Sequence, residues 1–161
     1  MIKENDSPVN YLDKEILKDL CHDIASRLFQ EEEPMGLYED HDQAKLDSCL
    51  NLPRQAVFGQ ELYSGIYKKA AITFYAFNRN HAFGNGNKRL SVAATIVFLY
   101  INNVAVVAGR GELRDKALWL AQTELPIEKA VDDLAIWLEE RTIPLEQFRE
   151  ILNGQSIDSK D

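Results

Sequence analysis

The stretch Asn87-Lys-Arg-Leu-Ser-Val-Ala-Ala-Thr-Ile-Val-Phe-Leu-Tyr-Ile-Asn102 decides the fold. Past its first turn it is rich in Ala, Val, Ile and Phe on nearly all sides, which is the pattern of a helix at the centre of a core. Such a helix needs a shell of amphipathic partners, and the chain supplies them on both sides. Upstream, Leu62, Ile66, Ala70, Thr73, Phe74 and Phe77 line one helical face from Glu61 to about Asn78. Further upstream, Ile16, Leu17, Leu20, Ile24 and Leu28 recur at helical spacing from Asp13 to Phe29, with Asp13 as N-cap. Downstream, Glu112 to Gln122, Ile127 to Glu140 and Leu145 to Leu152 read as three more helices. Pro126 and Pro144 stand at first-turn positions and Gly154 at a helix-ending one. Gln43 to Leu50 reads as a short helix, Val104 to Ala108 as strand-like, and Arg54 to Phe58 as a small strand or hairpin. The expectation is a single all-α domain with a small β-hairpin. It spans residues 1–161, with its core at about 10–152 and flexible ends at 1–9 and 155–161.

Size and charge narrow the function. A chain of 161 residues suits one domain and buries roughly 70% of its unfolded surface without staples. With 18 Lys plus Arg against 26 Asp plus Glu, the net charge is −8, the wrong sign for a nucleic-acid binder or for docking on an anionic membrane. A basic or amphipathic peptide suits this surface better than an acidic protein, and a local cationic pocket for one nucleotide remains compatible with it. Cys21 and Cys49 have no CxxC spacing, which excludes a disulfide framework and a cysteine zinc site and leaves two buried thiols in a reducing compartment. The acids near Met1 do not fit a signal peptide, and the apolar run Val92 to Ile101 is too short to span a bilayer. A cytoplasmic location is expected. Glu31-Glu-Glu-Pro34 reads as a solvated helix end, and the loop-rich stretch from Met35 to Gln60 as functional rather than mere connection.

Between the two strongest helices lies Asn80-His-Ala-Phe-Gly-Asn-Gly-Asn-Lys-Arg89. Gly84 and Gly86 permit backbone in which successive N–H groups converge on an anion. The following helix adds unpaired N–H groups and a positive dipole end, with Asn87 as a candidate N-cap. Lys88 and Arg89 occupy the first turn, where cations are unfavourable unless an anion meets them. His81, at the other mouth of the loop, is a natural general base for a hydroxyl nucleophile. Together they point to transfer of a phosphate-containing group from a nucleotide to an alcohol. Phe83 reads as a core anchor for the loop, and His22 and His41, lacking clustered acid or cysteine partners, as structural.

The stretch His81-Ala-Phe-Gly-Asn-Gly-Asn-Lys-Arg89 resembles the signature of the Fic/Doc family, His-x-Phe-x-Asp/Glu-Gly/Ala-Asn-Gly/Lys-(Arg). Pro53 to Tyr63 looks like the family's flap, and Leu90 to Asn103 like its central helix. The resemblance implies that His81 deprotonates the target hydroxyl and that Gly86, Asn87 and Lys88, with Gly84 beside them, surround the nucleotide phosphates. It implies that Arg89 contacts phosphate and that the flap (Arg54, Gln55, Ala56, Val57 and Phe58) pairs with an extended Ser/Thr-containing segment of a protein substrate. ATP or another nucleoside triphosphate would be the donor and Mg2+ the metal. Lys88 stands where adenylylating relatives carry glycine and where Doc toxins carry lysine, and Val92 stands where a second arginine would be. Both departures favour phosphoryl transfer, with AMP transfer as the alternative, and the resemblance implies a translation factor as the target class and a small antitoxin as a partner. Asn85 stands at the magnesium-binding acid; an amide oxygen can ligate magnesium only weakly, which also admits an impaired, purely binding version of the fold. Gly86 replaces an alanine usual in Doc. Thr142-Ile-Pro-Leu-Glu146 is the nearest match to the inhibitory helix of Fic proteins and reads instead as a solvated helix start.

Overall fold

Eleven of the fifteen residues of helix α4 (Asn87–Ile101) are buried, so this element is the axis of the domain, as its apolar circumference requires. The computed structural model describes residues 7–29 and 34–158; the Glu31-Glu-Glu stretch and, of the ends expected to be flexible at 1–9 and 155–161, residues 1–6 and 159–161 lie outside them. Helix α1 (14–27) carries its N-cap at Asp13, whose Oδ1 accepts the Ile16 N–H at 2.8 Å. Helix α2 (Gln43–Asn51) has the same device, Asp42 accepting from Lys45 N–H at 3.0 Å. Strands β1 (Ala56–Val57) and β2 (Gln60–Glu61) form the antiparallel hairpin. Helix α3 (Ile66–Arg79) follows it and packs along α4. Then come β3 (Val104–Val106), α5 (Arg110–Gln122), α6 (Ile127–Glu139), β4 (Thr142–Pro144) and α7 (Leu145–Asp158). Phe74, Phe77, Leu90, Phe98, Leu99, Leu134 and Leu138 join α3, α4 and α6 in one core. Each fully buried side chain of this size contributes roughly 1.5–3 kcal/mol.

Four sequence expectations need correction. The middle of α1, Leu17–His22, is wound as a π-helix. Its wider turn puts Leu17, Cys21 and Ala25 on the buried face and leaves Leu20, expected there, half exposed. Helix α3 starts at Ile66 rather than Glu61, because Gln60–Glu61 pair in the hairpin and Gly65, at φ +85°, turns the chain into the helix. Leu62 is therefore no helical core residue; it is exposed, its N–H donating to Gln55 O at 3.0 Å. Pro144 ends strand β4, which pairs antiparallel with β3 to make a second two-stranded sheet that the sequence reading lacked. Helix α7 continues through Gly154 to Asp158, since Gly154 does not take the left-handed conformation that ends a helix.

Helix α3 is tied to its surroundings at the end that faces the motif loop. Arg79 Nη1 donates to Leu120 O and Thr123 O, both at 3.0 Å, satisfying carbonyls at the end of α5. Asn78 Nδ2 donates to Ala117 O at 3.1 Å and to Ser91 Oγ at 3.3 Å, joining α3, α5 and α4. The loop between α3 and α4 thus hangs from two helices whose mutual position is fixed.

Candidate functional site

Helix α3 stops at Arg79. Asn80 is its C-cap, with its N–H on Ala76 O at 2.9 Å, and His81 follows at φ +49°. That is the position where a helix normally ends in glycine, because a Cβ in left-handed backbone is strained. His81 is nevertheless exposed, its ring outside the core, while Ala82 and Phe83 beside it are buried. Backbone strain at an exposed, titratable residue is the kind of feature that marks a working site.

The other end of the loop is built by Gly86 and Asn87. Gly86, at φ +79°, is the residue that caps α4, so the expected N-cap role of Asn87 is not observed. Asn87 is instead the first helical residue and turns back: its Nδ2 donates to Phe83 O at 2.8 Å and its Oδ1 accepts from Phe83 N–H at 3.1 Å. A buried amide thus braces the loop across its base. Gly84 is exposed and does not take positive φ, so Gly86 alone of the two glycines uses the left-handed region. The first turn of α4 opens at this point with its N–H groups and the positive end of its dipole. Lys88 is exposed there, whereas Arg89 is only 4% exposed and belongs to the interior. The cradle can receive an anion, with one cation at its surface and another beneath.

Several neighbours were not foreseen from the sequence. Asn85 Oδ1 accepts from Gly36 N–H and its Nδ2 donates to Pro34 O, each at 2.8 Å, so the residue expected to ligate a metal is bonded to a backbone strap. The Met35 side chain lies against Gly86, where a Cβ would come within 2.7 Å of Met35 Cγ. His22 and His41, read as structural, gather with Tyr38 around Phe83, their ring centroids 6.0 and 5.8 Å from its own. His22 Nε2 lies 3.0 Å from Gly36 O and His41 Nδ1 lies 2.6 Å from Tyr38 O; a carbonyl only accepts, so those nitrogens carry the protons. Burial pushes the Tyr38 phenol above its ordinary value, with the charge of Lys14 opposing.

Of the expected flap residues, Ala56, Val57 and Phe58 belong to the hairpin and Gln55 stands at its foot. Arg54 lies outside it, in the 3-10 turn Leu52–Arg54, with its guanidinium 4.6 Å from the Tyr11 ring centroid and donating to Leu12 O at 3.3 Å. Phe58 and Gly59 take φ +51° and +76° at the tip, and the Phe58 side chain is fully exposed. Lys69 holds the feet of the hairpin from α3: buried at 1% exposure, its Nζ donates to Pro53 O at 3.3 Å and Tyr63 O at 2.7 Å and pairs with Glu61 at 3.2 Å. Nothing in Lys68-Lys69 says which lysine turns inward; Lys68 makes an exposed pair with Asp132.

The two thiols take no part. Burial pushes Cys21 up to about 12 and Cys49 to about 11. A cleft of about 290 Å3 between α5 and α6 is lined by Glu112, Asp115, Lys116, Trp119 and Trp137, none of them in the motif, with Lys116 Nζ 4.4 and 5.3 Å from the centroids of the two indoles. Among the described residues, no helix is long and apolar enough to cross a membrane.

Residues 11–99, which hold both the hairpin and the motif loop, match the model of the Fic/DOC family. A protein of Mycolicibacterium smegmatis named Toxin Doc is 39% identical over 73 residues, covering 45% of this chain and 56% of that protein. The chain thus aligns with little more than half the length of that relative.

Proposed function

The chain belongs to the Fic/DOC family, and from that premise we propose that it is a Doc-like, toxin-type transferase moving a phosphoryl group from a nucleoside triphosphate to a Ser or Thr hydroxyl of a protein. The observation that carries the reading is the loop itself: an exposed imidazole in strained backbone at one mouth, a left-handed glycine, a helix N-terminus and Lys88 at the other. His81 takes the proton of the target hydroxyl. The hydroxyl oxygen attacks the terminal phosphorus, the bond from that phosphorus to the bridging oxygen breaks, and a nucleoside diphosphate leaves. Lys88, the amides of the first turn of α4 and the buried charge of Arg89 stabilise the phosphate oxygens. The exposed edge of the hairpin, with Phe58 at its tip, aligns an extended target segment by strand addition.

Magnesium is implied by the resemblance. The one residue at the acid position spends both ends of its amide on Pro34 and Gly36, and no trio of His, Cys, Asp or Glu among the described residues is placed to hold a metal ion. The described residues do not fit a protein-held metal.

A translation factor as target and a small antitoxin as restraining partner complete this reading. The experiment is intact-mass analysis of candidate targets incubated with the protein and ATP, with His81→Ala as control. A phosphoryl increment that vanishes in the control supports the reading; a nucleotidyl increment replaces it with AMP transfer. The commitment of Asn85 to the strap favours a second reading, a binding module without catalysis. That one holds if wild type and His81→Ala are equally inert against every target tried and in cells freed of any antitoxin.

A further inference from the structure

We propose that Asn85 is a positioning residue: its side-chain amide clasps the Pro34–Gly36 strap across the phosphate cradle instead of holding a metal. Three of the strap's five backbone polar groups are bonded to side chains of the domain. Asn85 satisfies two of them, Gly36 N–H and Pro34 O, at 2.8 Å each. His22 donates to the third, Gly36 O, at 3.0 Å. An amide is required at position 85, because one partner is a donor and the other an acceptor; a carboxylate would keep the first and face the second oxygen to oxygen. Gly86 completes the arrangement. Met35 rests where its Cβ would be, with Met35 Cγ, Cε and Sδ within 2.7, 2.9 and 3.2 Å of that point, so glycine at 86 permits both the left-handed cap of α4 and the seating of the strap. The strap therefore forms one wall of the cradle, and its position governs how a nucleotide enters.

That last consequence rests on the proposed function; the clasp itself does not, and the test separates them. Amide exchange is measured on the full chain for wild type, Asn85→Asp, Asn85→Ala and His22→Phe, without nucleotide or target. Asn85→Ala is expected to speed exchange at Gly36 by about tenfold, the equilibrium value of roughly 1.4 kcal/mol of lost bonding, and Asn85→Asp, which keeps the Gly36 bond but sets an oxygen against Pro34 O, by less, with the amides of α4 unchanged in both. His22→Phe keeps a ring against Phe83, loses one bond, and is expected to give a smaller effect in the same segment. Unchanged exchange at Gly36 in Asn85→Ala overturns the proposal. So does a gain in Mg2+ affinity in Asn85→Asp with the strap still protected, because the position would then be a metal site. Where transfer is measured, Asn85→Asp is expected to move the nucleotide KM more than kcat, since the strap walls the cradle and not the hydroxyl site. A fall confined to kcat would count against it. Loss of the proposed activity reading, for instance an active His81→Ala, leaves the exchange result standing.

Discussion

His81 offers the sharpest test, because its backbone and its side chain demand different residues. At φ +49° directly after the C-cap of α3, the backbone favours glycine. A Cβ in left-handed conformation costs about 1–2 kcal/mol, and glycine's extra freedom in the unfolded chain offsets about 0.5–1 of that. The imidazole is exposed, so removing it forfeits little packing. His81→Gly should therefore be more stable than His81→Ala by about 0.5–1 kcal/mol, which in a domain of this size is a difference in Tm of roughly 1–4 °C. Urea and thermal unfolding of the two variants, side by side, measure it. Both should lose target modification alike, because neither can accept the hydroxyl proton. If alanine proves as stable as glycine, position 81 is not left-handed in solution. If either variant still modifies its target at the wild-type rate, His81 is not the base.

Further expectations follow from the same geometry. Asn87→Ala leaves Phe83 N–H and O buried without partners, and should cost about 2–6 kcal/mol in urea unfolding at roughly 1–3 per orphaned group; a loss under about 0.5 would mean water replaces the brace. Phe58→Asn puts a residue suited to positive φ into the hairpin tip, so exchange of the amides at 56–61 should slow while target affinity falls about tenfold; unchanged affinity would remove Phe58 from the docking surface. Cys21 and Cys49, held protonated by burial, should resist alkylation at pH 8.5 in the native protein and react at once in urea. Because the folded thiols titrate well above the unfolded value near 9, stability contributed by keeping them neutral is intact below pH 9 and is lost as the pH rises from there; a urea midpoint that rises between pH 9 and 10.5 would contradict this.

The helices were legible because their hydrophobic period is long and regular. Leu90 to Ile101 reads as a core helix on composition alone, and the Asp13 cap sits where a short polar side chain precedes an apolar period. Strand β4 was not legible: Thr142–Pro144 has only three residues and gains its identity from pairing with Val104–Val106 across more than thirty residues of chain. The π-turn was hidden for a related reason, since Leu17, Leu20, Ile24 and Leu28 satisfy an ordinary helical period and only packing selects Cys21 over Leu20. At the site, the loop was visible because glycines, a histidine and adjacent cations carry their chemistry in their identity. The strap was not, because Pro34-Met-Gly36 acts through backbone groups and a thioether, which advertise nothing in a sequence. Lys69 escaped for the opposite reason: a lysine in a helix reads as solvated, and nothing short of the fold shows the Pro53 and Tyr63 carbonyls waiting for it.

Asn85, Gly86 and Asn87 show how one turn divides structural from chemical duty. Two identical side chains stand either side of a left-handed glycine, and the reversal of direction at φ +79° sends them to different places. Asn87 goes inward and braces the loop against itself through Phe83; Asn85 goes outward and holds a distant strap. Neither is free to act on a substrate without breaking its bonds, buried at Asn87 and exposed at Asn85. The exposed groups left for chemistry are the His81 ring, the Lys88 ammonium and the amides of the first helical turn, with the buried Arg89 charge beneath them. A catalytic loop must be stiff where it positions and unsatisfied where it reacts. Here the two asparagines supply the stiffness, and the strain and exposure of His81 mark the point at which the backbone has been held against its preference.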